Sequence, residues 1–199
     1  MKTELDEMLC TKYPKIFKNR HGDMRTTAMC WGLECGDGWY NILNQLCGNI
    51  QHHINESRKS KARAIRFNRA LRRAKVGDKA GLINYFSFRG KVTDHTLKLV
   101  DSTIERGTYE IERDEVTQVV ASQVKEKFGG LRFYYDGGDA YISGLVQMAD
   151  SMSYVTCETC GNSGKMRGKG WLYTACDNHT SEEDILSDNI EDNTEEDNN

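Results

Sequence analysis

Apolar positions along this chain switch between helical and strand spacing, and the switches outline its elements. Residues 4–18 carry a short apolar face of Leu5, Met8, Leu9 and Tyr13, which predicts a short helix or two, interrupted at Pro14, the only proline. Residues 29–39 are rich in glycine and turn-forming. From 39 to 54, Trp39, Leu43, Leu46, Cys47, Ile50 and Ile54 recur at helical spacing, with Asp37 or Gly38 able to open the helix. A second helix is expected over 58–75, where Ala64, Phe67, Leu71 and Ala74 form a narrow stripe and Val76-Gly77-Asp78 ends it. Residues 82–88 suit a helix end or a strand equally. Residues 91–115 are mixed, with weak strand character at 96–100 and 108–111. The best strand signal spans 116–135, where two β-rich runs flank Gly129-Gly130 and read as a hairpin. Asp139 then suits the N-cap of an amphipathic helix to Met152, with Ile142, Leu145, Val146, Ala149 and Met152 on its apolar face.

Straight after that helix stands Cys157-Glu158-Thr159-Cys160-Gly161, and fifteen residues beyond Cys160 comes Cys176-Asp177-Asn178-His179. A two-residue gap lets both thiolates of a knuckle face one ion while backbone amides support the sulfurs. A tetrahedral metal needs a second pair returning across it. Lys165-Met166-Arg167 and Trp171-Leu172-Tyr173-Thr174 read as two short strands, turned by Gly168-Lys169-Gly170, that make this return. Cys157, Cys160, Cys176 and His179 are therefore the expected ligands of one structural Zn2+, in a zinc-ribbon or treble-clef-like unit. A redox Cys-x-x-Cys would leave Cys176 and His179 unexplained. Buried apolar cysteines would not require two short-gap pairs. Cys30, Cys35 and Cys47 with His52 or His53 could form a second metal site, although Cys47 lies on an apolar helix face where cysteine commonly serves as core.

Charge changes the picture next. The chain has 199 residues and a net charge of -3. Nine of its acidic residues fall within 180–199, which hold no Lys or Arg, so residues 1–179 carry +6. The tail reads as disordered; it could fold back on the basic helix or imitate nucleic acid towards a partner, and the plainer reading is a solubilising tail. Residues 58–75 hold nine basic side chains and no acidic one. Arg63, Arg66, Arg69, Arg72 and Arg73 could grip phosphates or an acidic protein surface; the plainer reading is a solvated helix face. Hydrophobic residues make up 38%, charged residues 29%, and mean hydropathy is -0.69. No run approaches the roughly 20 apolar residues of a membrane span. The polar N-terminus lacks the apolar core of a secretory signal. Seven cysteines suit a reducing cytoplasm better than a disulfide framework. Neither a glycine-rich phosphate loop nor a His-Glu-x-x-His is present. Asn178-His179 shares letters with a His-Asn-His nuclease but lacks the catalytic histidine of that motif.

Several stretches resemble a widespread family of uncharacterised bacteriophage proteins. They are Leu5-Asp6-Glu7 with Tyr13-Pro14-Lys15-Ile16-Phe17; Cys35-Gly36-Asp37-Gly38-Trp39-Tyr40; Asn68-Arg69-Ala70-Leu71 with Gly77-Asp78; Val124-Lys125-Glu126-Lys127-Phe128-Gly129-Gly130-Leu131-Arg132-Phe133-Tyr134; and the cysteine-rich end through His179. The resemblance stops before the acidic tail. It implies phage origin and a host bacterial cytoplasm, and supplies no activity.

These readings combine into an α+β expectation: a helical N-terminal part packed with a β-hairpin, an amphipathic helix and the zinc unit. Residues 1–115 form a mainly helical region, 116–179 the hairpin, helix and zinc unit, and 180–199 the tail. The leading functional expectation is a non-enzymatic, zinc-stabilised accessory protein that binds a host protein. The alternatives are a nucleic-acid-binding protein using the arginine-rich helix and a nucleic-acid-processing enzyme.

Overall fold

The computed structural model describes residues 1–184, so most of the acidic tail, 185–199, lies outside the described residues. Helices and strands are mixed in one chain. The elements are α1 (Thr3–Lys12), β1 (Leu33–Glu34), α2 (Tyr40–Ala74), α3 (Ala80–Phe86), α4 (Asp94–Arg106), β2 (Thr117–Lys127), β3 (Gly130–Gly138), α5 (Ala140–Ser153), β4 (Lys165–Arg167) and β5 (Tyr173–Ala175). The chain divides into two compact units. Unit 1 is built from Met1–His52 and the chain from Thr117 onward, and unit 2 from His53–Val116.

Unit 1 is organised by a three-stranded sheet in the order β1-β2-β3. β1 runs parallel to β2, with Leu33 opposite Val124, and β2 runs antiparallel to β3, with Val124 opposite Phe133. Alternation, shifted by an irregularity in the ladder between Ala121 and Gln123, puts Val119, Ala121, Val124, Leu131 and Phe133 in the core with Leu9, Ile16, Trp39, Leu43 and Ile50. The β2–β3 turn sits one residue earlier than the Gly129-Gly130 pattern suggests. Lys127 pairs with Gly130, which leaves Phe128 and Gly129 as the two-residue loop. Both have positive φ, 55° and 76°, as a type I′ turn demands. Asp139 caps α5 as expected, its Oδ1 accepting from Ile142 N at 3.1 Å.

In unit 2 the later part of α2 packs with α3 and α4 around Phe67, Leu71, Ala74, Leu82 and Val100. Four sequence expectations need revision or settling here. The helices expected over 39–54 and 58–75 belong to one helix, because the polar stretch between them contains no glycine or proline to stop it. Residues 82–88, left open by pattern, begin inside α3. Residues 96–100 are helical rather than extended. Thr93 and Thr96 form a reciprocal capping box (Thr96 N to Thr93 Oγ1, 3.2 Å; Thr93 N to Thr96 Oγ1, 3.3 Å) that starts α4, and Gly107 at φ 63° ends it. Residues 108–111 pair with no strand. Buried Asn68 ties this segment down instead, donating to Glu110 O and Glu112 Oε1 at 2.9 Å each and accepting from Glu110 N at 2.8 Å.

Candidate metal centre

The knuckle forms as α5 ends. Cys157 N donates to Asn162 O (2.8 Å) and Gly161 N to Cys157 O (2.8 Å), a tight turn that Gly161 completes at φ 79°. The β4–β5 hairpin then carries the chain back, with Lys165 opposite Ala175 and Arg167 opposite Tyr173. Beyond β5 a single 3-10 turn, Asp177–His179, brings His179 N onto Cys176 O at 2.9 Å.

These local structures bring all four expected side chains together. Cys160 Sγ lies 3.7 Å from Cys176 Sγ, and His179 Nδ1 lies 3.7 Å from Cys157 Sγ and 3.2 Å from Cys176 Sγ. All four ligand atoms fall within 4.8 Å of one another. Thiolates about 2.3 Å and an imidazole about 2.0 Å from a common centre would span tetrahedral edges of about 3.5–3.8 Å. The cluster therefore has a geometry that could hold a metal ion. Its electrostatics suit a cation as well. Burial raises the Cys157 thiol, but backbone N–H groups of Cys176, Cys160 and Thr159, with the Cys160 side chain, outweigh burial and bring it down to about 6. Cys176 is raised, by desolvation and then by its sulfur neighbours Cys160 and Cys157. Three sulfurs this close repel as thiolates unless a cation joins them.

The surrounding protein holds the knuckle in place. Gly38 N donates to Glu158 O (2.7 Å), Gly36 N to Glu158 Oε1 (2.7 Å) and Trp39 Nε1 to Thr156 O (2.8 Å). The Gly36-Asp37-Gly38-Trp39 segment, which pattern alone presents as a turn before a helix, is thus a strap across the knuckle. A Cβ at Gly38 would collide with Cys157 O, Gly161 N and Glu158 O, so only glycine fits. The doubled glycine before Trp39 was the available signal. On the other flank, buried Arg167 pairs with Asp177, between Cys176 and His179. Thr174 Oγ1 donates to Gly129 O at 2.6 Å, fastening β5 to the β2–β3 turn.

The other cysteines do not join a ligand cluster. Among the described residues, only the Cys157 group meets the metal geometry. Cys47 is core, as its helix face suggests, and burial pushes its thiol up. Burial likewise pushes Cys35 up to about 12. Cys30 Sγ donates to Thr27 O at 3.1 Å. Of the five candidate arginines, Arg63, Arg66, Arg69 and Arg73 line one groove in unit 2, and Arg72 does not: its Nε donates to Asn68 O at 3.3 Å. No described helix is long and apolar enough to cross a membrane. Comparison with protein-family models, curated proteins and solved structures finds no match.

Proposed function

We propose that this chain is a zinc-stabilised, non-enzymatic binding protein, and that the metal unit exists to hold two aromatic tips in place for a protein partner. Three thiolates and an imidazole at tetrahedral spacing suit Zn2+. Four protein ligands leave no coordination place for water or substrate, which supports a structural ion in a zinc-ribbon-like hairpin.

The observation that carries the binding role is Phe128. It is 64% exposed, and it occupies a left-handed backbone position that costs a residue with a Cβ about 1–2 kcal/mol. Asn or Gly would occupy that turn position with less strain. Strain retained at an exposed aromatic points to recognition rather than folding. Beside it stands Trp171, 79% exposed, in the β4–β5 turn. Phe128, Trp171 and Leu172 line one shallow cavity of about 190 Å³. Exposed Trp and Phe around a small cavity are the usual composition of an interface centre. The Thr174–Gly129 bond and the metal together fix the two turns that carry them. The sequence resemblance to bacteriophage proteins makes a host protein the partner proposed.

Purified protein is expected to hold one zinc per chain by elemental analysis. In pull-downs from bacterial lysate, Trp171→Ala and Phe128→Asn are expected to lose the captured protein while keeping their zinc. Truncating a central aromatic typically costs 2 kcal/mol or more, about 30-fold in affinity. Capture that survives both substitutions sinks the proposal.

A further inference from the structure

Unit 2 carries 15 Lys and Arg against 9 Asp and Glu, net +6, although the whole chain is at -3. The excess is concentrated on α2. Arg63, Arg66, Arg69 and Arg73 follow one another along a single helix face for about 15 Å. They form one side of a groove of about 610 Å³, and Asn84 and Tyr85 of α3 form the other. At its base α3 comes against α2, where a Cβ on Gly81 would stand 3.1 Å from the Ala70 Cβ. Two carboxylates border the groove: Asp78, 3.2 Å from Arg73 Nε, and Glu110, whose negative charge acts on the Tyr85 hydroxyl. Neither is among the described residues that line it, and none of those is acidic. A solvated helix face would spread its arginines around the exposed arc. Here four converge on one concavity, while Arg72 turns back to its own helix.

We infer that this groove binds the sugar-phosphate backbone of a single-stranded nucleic acid. Guanidinium groups match phosphate oxygens in a planar, two-point manner that ammonium groups do not. The polar amide of Asn84 and the ring of Tyr85 stand opposite the arginines, where the sugar or base of a bound nucleotide would lie. A duplex presents its phosphates on a convex surface too broad to enter a cleft between two packed helices. A single strand can be drawn into it. An acidic protein surface would suit scattered lysines as well as clustered arginines, and it gains nothing from the concavity. The groove residues belong to unit 2 and the Phe128–Trp171 tips to unit 1, and the inference does not rest on the tips.

The test is fluorescence anisotropy with the full chain and three labelled probes: a 20-nucleotide oligothymidine, the matching oligouridine, and a 20-base-pair DNA duplex. Either single strand, or both, is expected to bind more tightly than the duplex; the two single-stranded probes tell DNA from RNA. Three to four phosphate contacts at a slope of about -0.7 each predict a roughly 15- to 50-fold loss of affinity between 50 and 200 mM salt. Arg66→Glu with Arg69→Glu is expected to weaken binding at least about 10-fold, because two of the contacts become repulsive. Arg72→Glu makes one charge reversal outside the groove and is expected to stay within about threefold. If the double variant fails to fold, Arg66→Gln with Arg69→Gln removes the same contacts without adding charge. Tighter duplex binding, no single-strand binding at 50 mM salt, or an equal loss from Arg72→Glu would each overturn the assignment.

Discussion

Asp6 is an ionised side chain set into the core of unit 1, 4% exposed. Burial pushes its carboxyl up, but several bonds oppose that. Arg20 grips it through Nε (3.1 and 3.0 Å) and through a terminal nitrogen (2.8 Å), Cys10 Sγ donates at 3.2 Å and Leu33 N at 3.4 Å. The balance holds Asp6 below its ordinary 3.8. A carboxyl lowered by folding stabilises the fold fully above about 3.8, and that contribution fades as pH falls through the lower folded value. Asp6→Asn keeps the shape and leaves Arg20 unpaired, so a loss of about 3 kcal/mol is expected near neutral pH. Denaturant unfolding from pH 7 to pH 2.5 should show the gap to the native chain narrowing at the acid end. A constant gap would mean that Asp6 acts through packing rather than charge. Phe128 gives the opposite kind of prediction. Phe128→Asn relieves its left-handed strain, and unfolding should register about 1 kcal/mol of added stability in the same variant that is proposed to lose binding.

At the scale of elements, α4 shows how a local signal overrides composition. β-branched residues around 96–100 suggest strand, yet Thr93 and Thr96 satisfy each other's backbone donors and commit the segment to helix. Thr93→Ala should cost about 1 kcal/mol in thermal unfolding, whereas an exposed threonine outside a cap would cost little. The Thr-x-x-Thr pattern was visible in the residues, but it departs from the commoner Ser/Thr-x-x-Glu box. The hairpin, the α5 cap and the clustering of the four Cys/His residues were legible because each rests on short-range spacing. What was not legible depends on residues far apart in sequence. The strap of Gly36 and Gly38 over the knuckle joins positions more than 110 residues away. The groove needs α3 to stand opposite four arginines and not the fifth. A periodic pattern fixes which face of α2 is apolar. It does not say which arginines a neighbouring helix will enclose.

Over the whole molecule, the proposed structural ion would order the Cys/His unit and not the helices of unit 2, and a chelator should separate the two. Around the cluster there is little apolar packing of its own. β4 and β5 are three residues each, Cys160 is exposed, and Met166 and Trp171 face solvent. Strands this short are not stable alone in water, so on the proposed reading their order falls to a bound ion and to the bonds at Glu158 and Thr174. Unit 2 has its own core of Phe67, Leu71, Leu82 and Val100 and contains none of the four ligands. Hydrogen exchange read by mass spectrometry, before and after a strong chelator, should therefore show lost protection at β4, β5 and the Asp177–His179 turn. The β2–β3 turn should follow, because Thr174 no longer holds Gly129. Amides of α3 and α4 should keep their protection. Added zinc should restore the first group, with two protons or more released as thiols become thiolates. Uniform loss across both units would show that the ion stabilises the entire fold. Unchanged exchange at β4 and β5 would show that the hairpin stands without the ion, and the display of Phe128 and Trp171 would then need another cause.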